Sequence, residues 1–330
     1  TDYLVARSLI GIAQQHIALD KDLTVRQNIR QHAMLHKIPK GEIESRMEYA
    51  ADLLGLDEYM DRKVDSLSGG WKRKTSIVCA IVHRPELLLL DEPTAGLDTR
   101  SRHLLWDLVL DLNRRGTTIF LTTHYIEEAE SLCDRVAIIN HGRLVAVGTV
   151  DELRDTIGRR IPARRQDGGP PLPDQGRGQA LLGDPGGLVL QHPQDYPGGC
   201  VPGADRRGQG EAGMINPFTV LDEAYRVAWG DLVYIRENLL EVVVTTLVGP
   251  LLYLLAFGFG IGGSVSSDPD AYMAFIVPGI VALTTLSATF STVSMKILVQ
   301  RLFYMSFDEL LLCPVHISAI VLGKCASGVI

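Results

Sequence analysis

Leu87-Leu88-Leu89-Leu90-Asp91-Glu92 is a run of four leucines closed by two carboxylates. Apolar residues without polar alternation mark a strand buried on both faces, and such strands belong to parallel sheets covered by helices. The two acids then fall at the C-terminal edge of the sheet, where open α/β folds bind their ligands. Asp91 at that edge is placed to hold Mg²⁺ through a water, and Glu92 to polarise a water for attack on a phosphoryl group. Taken alone, the same letters equally describe a strand that runs into a solvated turn.

The neighbouring stretches narrow the reading. Ser66-Leu67-Ser68-Gly69-Gly70 lies upstream and leads into a helical run over residues 71–82. Glycines let the backbone approach an anion, and a helix N-terminus offers free N–H groups and partial positive charge to a phosphate. Downstream, Pro93-Thr94-Ala95-Gly96-Leu97-Asp98 turns into the next helix, and the apolar strand 118–121 ends at Thr122-Thr123-His124. An imidazole at that strand end is placed to meet a γ-phosphate and the attacking water.

With these motifs in order, residues 15–148 resemble the ATP-binding-cassette (ABC) ATPases, a P-loop NTPase-type α/β fold. Leu67-Ser68-Gly69-Gly70 is similar to the family's signature motif, the 87–92 run to its Walker B strand, Ala95-Gly96-Leu97-Asp98 to its D-loop, and His124 to its switch histidine. Gln15 falls where the family's Q-loop glutamine is expected, with Gln14 as the rival. Trp71 stands where Gln or Glu is more usual. The resemblance implies Asp91 and Gln15 on Mg²⁺, Glu92 and His124 as catalytic residues, and Gln15, Ser68, Gly69, Gly70 and Asp98 on ATP. It further implies a head-to-tail dimer of two ATPase domains, in which Ser68 and Gly70 cap the nucleotide held by the partner.

One element of that family is missing from the 330 residues: no GxxxxGK[ST] phosphate loop occurs. The family places it before the Q-loop, upstream of Thr1, and the first residue is Thr rather than Met. The start therefore reads as cut, and the expectation is that the chain as written neither binds ATP tightly nor hydrolyses it.

Composition divides the chain in three. Residues 1–158 mix short apolar strands with helical stretches such as 42–56 and 100–115, a partial ABC ATPase domain. In residues 159–213, 21 of 55 residues are Gly or Pro, too many for a packed core. From residue 214 the text is that of a partial permease. Residues 218–235 are mixed enough to lie along a membrane surface. Residues 242–262 and 272–295 carry no charge and are long enough to cross a bilayer, and a third apolar stretch covers 315–330 with Lys324 inside it. Arg226, Arg236, Lys296 and Arg301 flank the first two runs, whereas the turn between them holds only Asp268 and Asp270, so the basic flanks mark the cytoplasmic side. Residues 271–324, notably Phe275-Ile276-Val277-Pro278-Gly279-Ile280 and Phe307-Asp308-Glu309-Leu310-Leu311-Leu312-Cys313-Pro314, resemble the first portion of a type-2 ABC exporter permease. The segment 296–314 is the expected coupling element, pressing on an ATPase near its Q-loop.

The 159–213 text has a second reading. Pro197-Gly198-Gly199-Cys200-Val201-Pro202-Gly203, shifted by one nucleotide, permits Leu-Glu-Asp-Val-Phe-Leu, which is similar to the C-terminal segment of exporter-type ABC ATPases. Gly213-Met214-Ile215, one base over, must contain TGA. The hypothesis is that an ATPase cistron and its permease cistron are joined by a frameshift near residue 159; a flexible linker is the alternative.

The functional expectation is an ATP-driven exporter in the plasma membrane, its ATPase on the cytoplasmic face. Permease subunits, a second ATPase domain and a transported substrate are its partners, and ATP and Mg²⁺ its cofactors. A soluble ABC ATPase of the DNA-repair or translation kind, and an inactive frameshifted fragment, are the competing readings. A net charge of −7 without a dense basic run gives no footing for nucleic acid. Five scattered cysteines suit a reducing compartment. His32 and His36, four apart but lacking a third ligand, read as a solvated helix face.

Overall fold

The computed structural model describes residues 3–160, 186–191, 217–256, 269–302 and 306–329. They fall into two compact units that do not follow the order of the chain. The first comprises Thr1–Ile17, Gly41–Met60 and Ser66–Glu211, and the second Ala18–Lys40, Asp61–Asp65 and Ala212–Ile330.

The elements run α1 (Tyr3–Leu9), β1 (Ile10–Ala13), α2 (Val25–Leu35), α3 (Lys40–Asp52), α4 (Gly69–Ile81), β2 (Leu87–Asp91), α5 (Thr99–Arg114), β3 (Thr118–Thr123), α6 (Ile126–Leu132), β4 (Arg135–Asn140), β5 (Arg143–Gly148), α7 (Val150–Arg160) and β6 (Gly186–Gln191). They continue as α8 (Pro217–Glu237), α9 (Leu239–Leu254), α10 (Pro269–Leu302), α11 (Ser306–Leu312) and α12 (Ile317–Val329).

In the first unit six strands form one sheet in the order β1-β2-β3-β6-β4-β5. β1, β2 and β3 are parallel, with Leu88 opposite Gly11 and Ile119. β6 runs antiparallel to both β3 and β4, and β5 closes the edge antiparallel to β4. Leu88, Leu90, Ile119 and Leu121 are buried almost completely, while Leu87 and Leu89 are half-buried. α4 lies directly on the sheet. A Cβ at Gly11 would stand 2.2 Å from the Ala80 carbonyl oxygen, so only glycine lets the helix approach this closely.

The second unit gathers α2 with α8, α11 and α12. Thr24 opens α2 through a capping box: its hydroxyl accepts from the Gln27 N–H at 3.2 Å, and its own N–H donates to Gln27 Oε1 at 2.8 Å. Leu35 of α2 is buried with Val227, Leu310, Cys313, Val315 and Ile320. α8 and α12 meet closely at Gly323, where a Cβ would lie 2.6 Å from the Ala224 carbonyl oxygen. Lys324 is buried, its Nζ 3.1 Å from Asp231 Oδ2.

Of the expected long apolar stretches, 242–262 is described only as far as residue 256, 272–295 lies within α10, and 315–330 coincides with α12 apart from its ends. Among the described residues no helix is long and apolar enough to cross a membrane. Of residues 159–213, all but 159–160 and 186–191 lie outside the described residues. His32 departs from the solvated face expected of it. Its Nε2 lies 3.3 Å from Glu309 Oε2, because the face of α2 that carries it is packed inside the second unit. No group of three or more metal-ligating side chains occurs among the described residues.

Candidate active site

The carboxylate of Glu92, just past the end of β2, is a meeting point. Gln15, two residues beyond β1, donates from Nε2 to Glu92 Oε2 at 3.0 Å. His124, the first residue after β3, has Nδ1 3.2 Å from Glu92 Oε1. Three adjacent parallel strands thus each deliver one polar side chain to the same edge, which follows from their common direction and matched register. Glu92 itself has φ +45°, the left-handed region in which a residue with a Cβ is strained. Its N–H is held by the Thr122 carbonyl at 3.0 Å. Strain of this kind persists only where surrounding contacts over-determine it.

Arg73 supplies those contacts. It projects from α4 and is 3% exposed. It donates to the Asp91 carbonyl at 3.1 Å, to the Glu92 carbonyl at 2.7 Å, and to the Gln14 carbonyl. Burial pulls its guanidinium below the ordinary value, opposed by the carboxylates of Asp91, Glu92 and Glu128. Gln14 and Gln15 therefore divide the work: Gln14 gives its carbonyl to Arg73, and Gln15 turns its amide to Glu92.

Asp91 is exposed and accepts on Oδ1 from the Thr122 hydroxyl. Behind it lies a residue that motif reading missed. Glu128 of α6 is buried and accepts from Thr123 Oγ1 at 2.6 Å and from Thr94 Oγ1 at 3.1 Å. It ties the residue before His124 to the turn after Glu92. Burial raises its pKa, and the bonds from Thr123, Thr94 and Trp106 act against that rise. The available signals were a buried arginine in α4 and an acid on the inner face of a short helix. Neither belongs to a recognisable motif.

Ser68 and Gly69 are exposed at the start of α4. Ser68 is the N-cap with extended backbone, yet its hydroxyl makes no capping bond. Gly70 is half-buried, and a Cβ there would come within 3.4 Å of Leu97. Asp98 caps α5, accepting from the Ser101 N–H at 2.9 Å and the Ser101 hydroxyl at 2.8 Å. Those two bonds hold its carboxyl below the usual range. Trp71 stacks on Tyr59 with ring centroids 4.0 Å apart, and Lys74 Nζ sits 4.2 Å from the Trp71 ring centroid. That stacking accounts for an aromatic residue at this position.

The parallel part of a mixed sheet, β1 to β3, thus gathers an Asp-Glu pair, a glutamine and a histidine at one edge, the arrangement expected of a P-loop NTPase-type fold. Residues 2–95 match the family model described as "ABC transporter". Over those residues the chain is similar to the ABC transporter ATP-binding proteins. The linearmycin resistance ATP-binding protein LnrL of Bacillus subtilis (strain 168) is 40% identical over 153 residues, 46% of this chain and 49% of its own length. The daunorubicin/doxorubicin resistance ATP-binding protein DrrA of Streptomyces peucetius is 40% identical over 155 residues, 47% of each chain. The Nod factor export ATP-binding protein I of Sinorhizobium fredii (strain NBRC 101917 / NGR234) is 40% identical over 151 residues, 46% of this chain and 44% of its own. The chain thus spans about half the length of the curated relatives it matches. A solved structure described as an ATP binding subunit of an ABC transporter is 30% identical, with a TM-score of 0.45 over 48% of this chain and 66% of that chain.

Proposed function

We propose that this chain carries part of an ATP-driven exporter, in which ATP binding and hydrolysis move a substrate across the plasma membrane. The observation that carries this reading is the convergence of Gln15 and His124 on the single carboxylate of Glu92. In that arrangement Glu92 orients and polarises the attacking water. His124, 3.2 Å from the same carboxylate, would stand beside the water and the γ-phosphate of a bound nucleotide. Asp91 and Gln15 offer hard oxygen donors of the kind Mg²⁺ takes, and their small number suits an ion held largely by water and phosphate. When bound, that ion would neutralise charge on the phosphates. Ser68, Gly69 and Gly70 present a helix N-terminus, and Asp98 the adjoining turn, to the nucleotide of a second ATPase domain.

The export half of the proposal is supported by the names of the relatives, two of them drug-resistance ATP-binding proteins and one a Nod factor export protein. It is also supported by the uncharged runs 242–262 and 272–295, read as spans, with 315–330 as a third. Phe218, Leu221 and Tyr225 form an exposed apolar stripe on α8, suited to a membrane surface. Segment 296–314 is the coupling element toward the stretch that follows Gln15.

The chain as it stands should show no Mg-dependent ATP turnover, since no phosphate loop occurs in it. The chain extended before Thr1 by a relative's phosphate-loop segment should turn over ATP, and Glu92→Gln should then cut the rate by about a hundredfold or more. Robust turnover without the extension, or an E92Q variant as fast as its parent, would sink the site assignment. Carbonate washing of membranes should leave the chain in the pellet. Full release would exclude the exporter and favour a soluble ABC ATPase.

A further inference from the structure

Glu223, on α8, is 2% exposed and answers to two other segments. Lys37 Nζ, from the turn after α2, donates to its Oε1 at 2.7 Å. The backbone N–H of His316, just before α12, donates to its Oε2 at 2.8 Å. His316 Nδ1 lies 2.7 Å from the same oxygen, so that nitrogen carries a proton. Burial raises the carboxyl's pKa, but the bonds from His316 and Lys37 outweigh it and hold the group below the usual range. His316 in turn starts α12, its carbonyl accepting from Ala319 at 3.0 Å and Ile320 at 3.2 Å.

We infer that Glu223 is the positioning residue through which α2 and α12 move as one, a role that rests on the coupling reading above. Displacing α2 breaks a charge-assisted bond to a buried carboxylate unless α8 and the start of α12 follow. The other charged groups around it are engaged. Asp222 holds Arg226 at 2.8 Å, and Arg226 also donates to the Met34 carbonyl of α2 at 2.8 Å. His32 faces Glu309 of α11, and Lys324 of α12 pairs with Asp231.

Lys37 makes the inference sharp. It has φ +59°, and its N–H and that of Ile38 close the end of α2 on the Met34 and Ala33 carbonyls. Glycine is the residue such a position favours. As a mere helix end, Lys37→Gly would firm up α2; as part of the link, it loosens both α2 and α12.

The test is backbone hydrogen exchange on the full chain in detergent without nucleotide. Lys37→Gly and Glu223→Gln should each speed exchange by about tenfold in both 33–38 and 316–320, leaving β3 unchanged, as expected for loss of one charge-assisted bond. Glu223→Asp should recover part of that loss. Slower exchange at 33–38 in Lys37→Gly, or 316–320 unmoved by it, overturns the inference. If Glu223→Gln loses protection in β3 it has unfolded, and Lys37→Gly decides alone. Because no nucleotide is present, the result stands whether or not the exporter reading survives its carbonate wash.

Discussion

Arg73 shows how much of the site rests on a residue that does no chemistry. Its guanidinium satisfies three carbonyls at the end of the sheet, including those of Asp91 and the strained Glu92. Arg73→Met should cost about 1–3 kcal/mol for each acceptor left unsatisfied, read as a lowered urea midpoint. Lysine, with one compact ammonium, should recover only part. Glu128 predicts a pH effect. Its proton affinity is raised in the folded state, so its contribution to stability is complete below the ordinary carboxylate range and is lost as pH rises through the folded value. Glu128→Gln should match wild type in melting midpoint near about pH 4 and exceed it near about pH 7; an E128Q variant less stable than wild type at the higher pH would defeat that account. Gln15, Asp91, Glu92 and His124 were legible because each sits in a motif of fixed order. Arg73 and Glu128 were not, since nothing in one sequence says which carbonyl or hydroxyl a buried charge will find.

The elements were legible where their apolar pattern is strong. The leucine run is β2, the stretch from the signature glycines is α4, and residues 118–121 lie in β3. Helix ends moved by a few residues: α3 covers Lys40–Asp52 where 42–56 was expected, because Gly55 at φ +65° turns the chain after it. β6 was not foreseen, since six residues inside a Gly/Pro-rich stretch carry no strand period; they enter the sheet through backbone pairing with β3 and β4. The tight seat of α4 on β1 gives a prediction at this scale. Gly11→Ala forces a methyl against the Ala80 carbonyl and should destabilise the chain by about 1–3 kcal/mol, seen as a lower thermal midpoint. An unchanged midpoint would mean that α4 shifts at no cost.

At the scale of the whole molecule, the residues after Gln15 group with the C-terminal helices rather than with the sheet they adjoin in sequence. The proposed joining of two cistrons is settled by resequencing the DNA across codons 150–215. A shift of frame near codon 159 is expected, and one intact frame would defeat it. What the sequence by itself determined is which polar residues stand at the sheet edge and the resemblance to the ABC ATPases. Those follow from residue types at fixed short spacings, which local backbone geometry carries to the ends of adjacent parallel strands. What only the tertiary structure decided is which distant partners those segments take: Gln15 rather than Gln14 on Glu92, Arg73 beneath it, and Glu223 between Lys37 and His316. Such contacts join residues from 19 to 186 positions apart. Local periodicity cannot encode them, because they exist only once packing has brought separate helices and strands together and left each buried charge to find a partner.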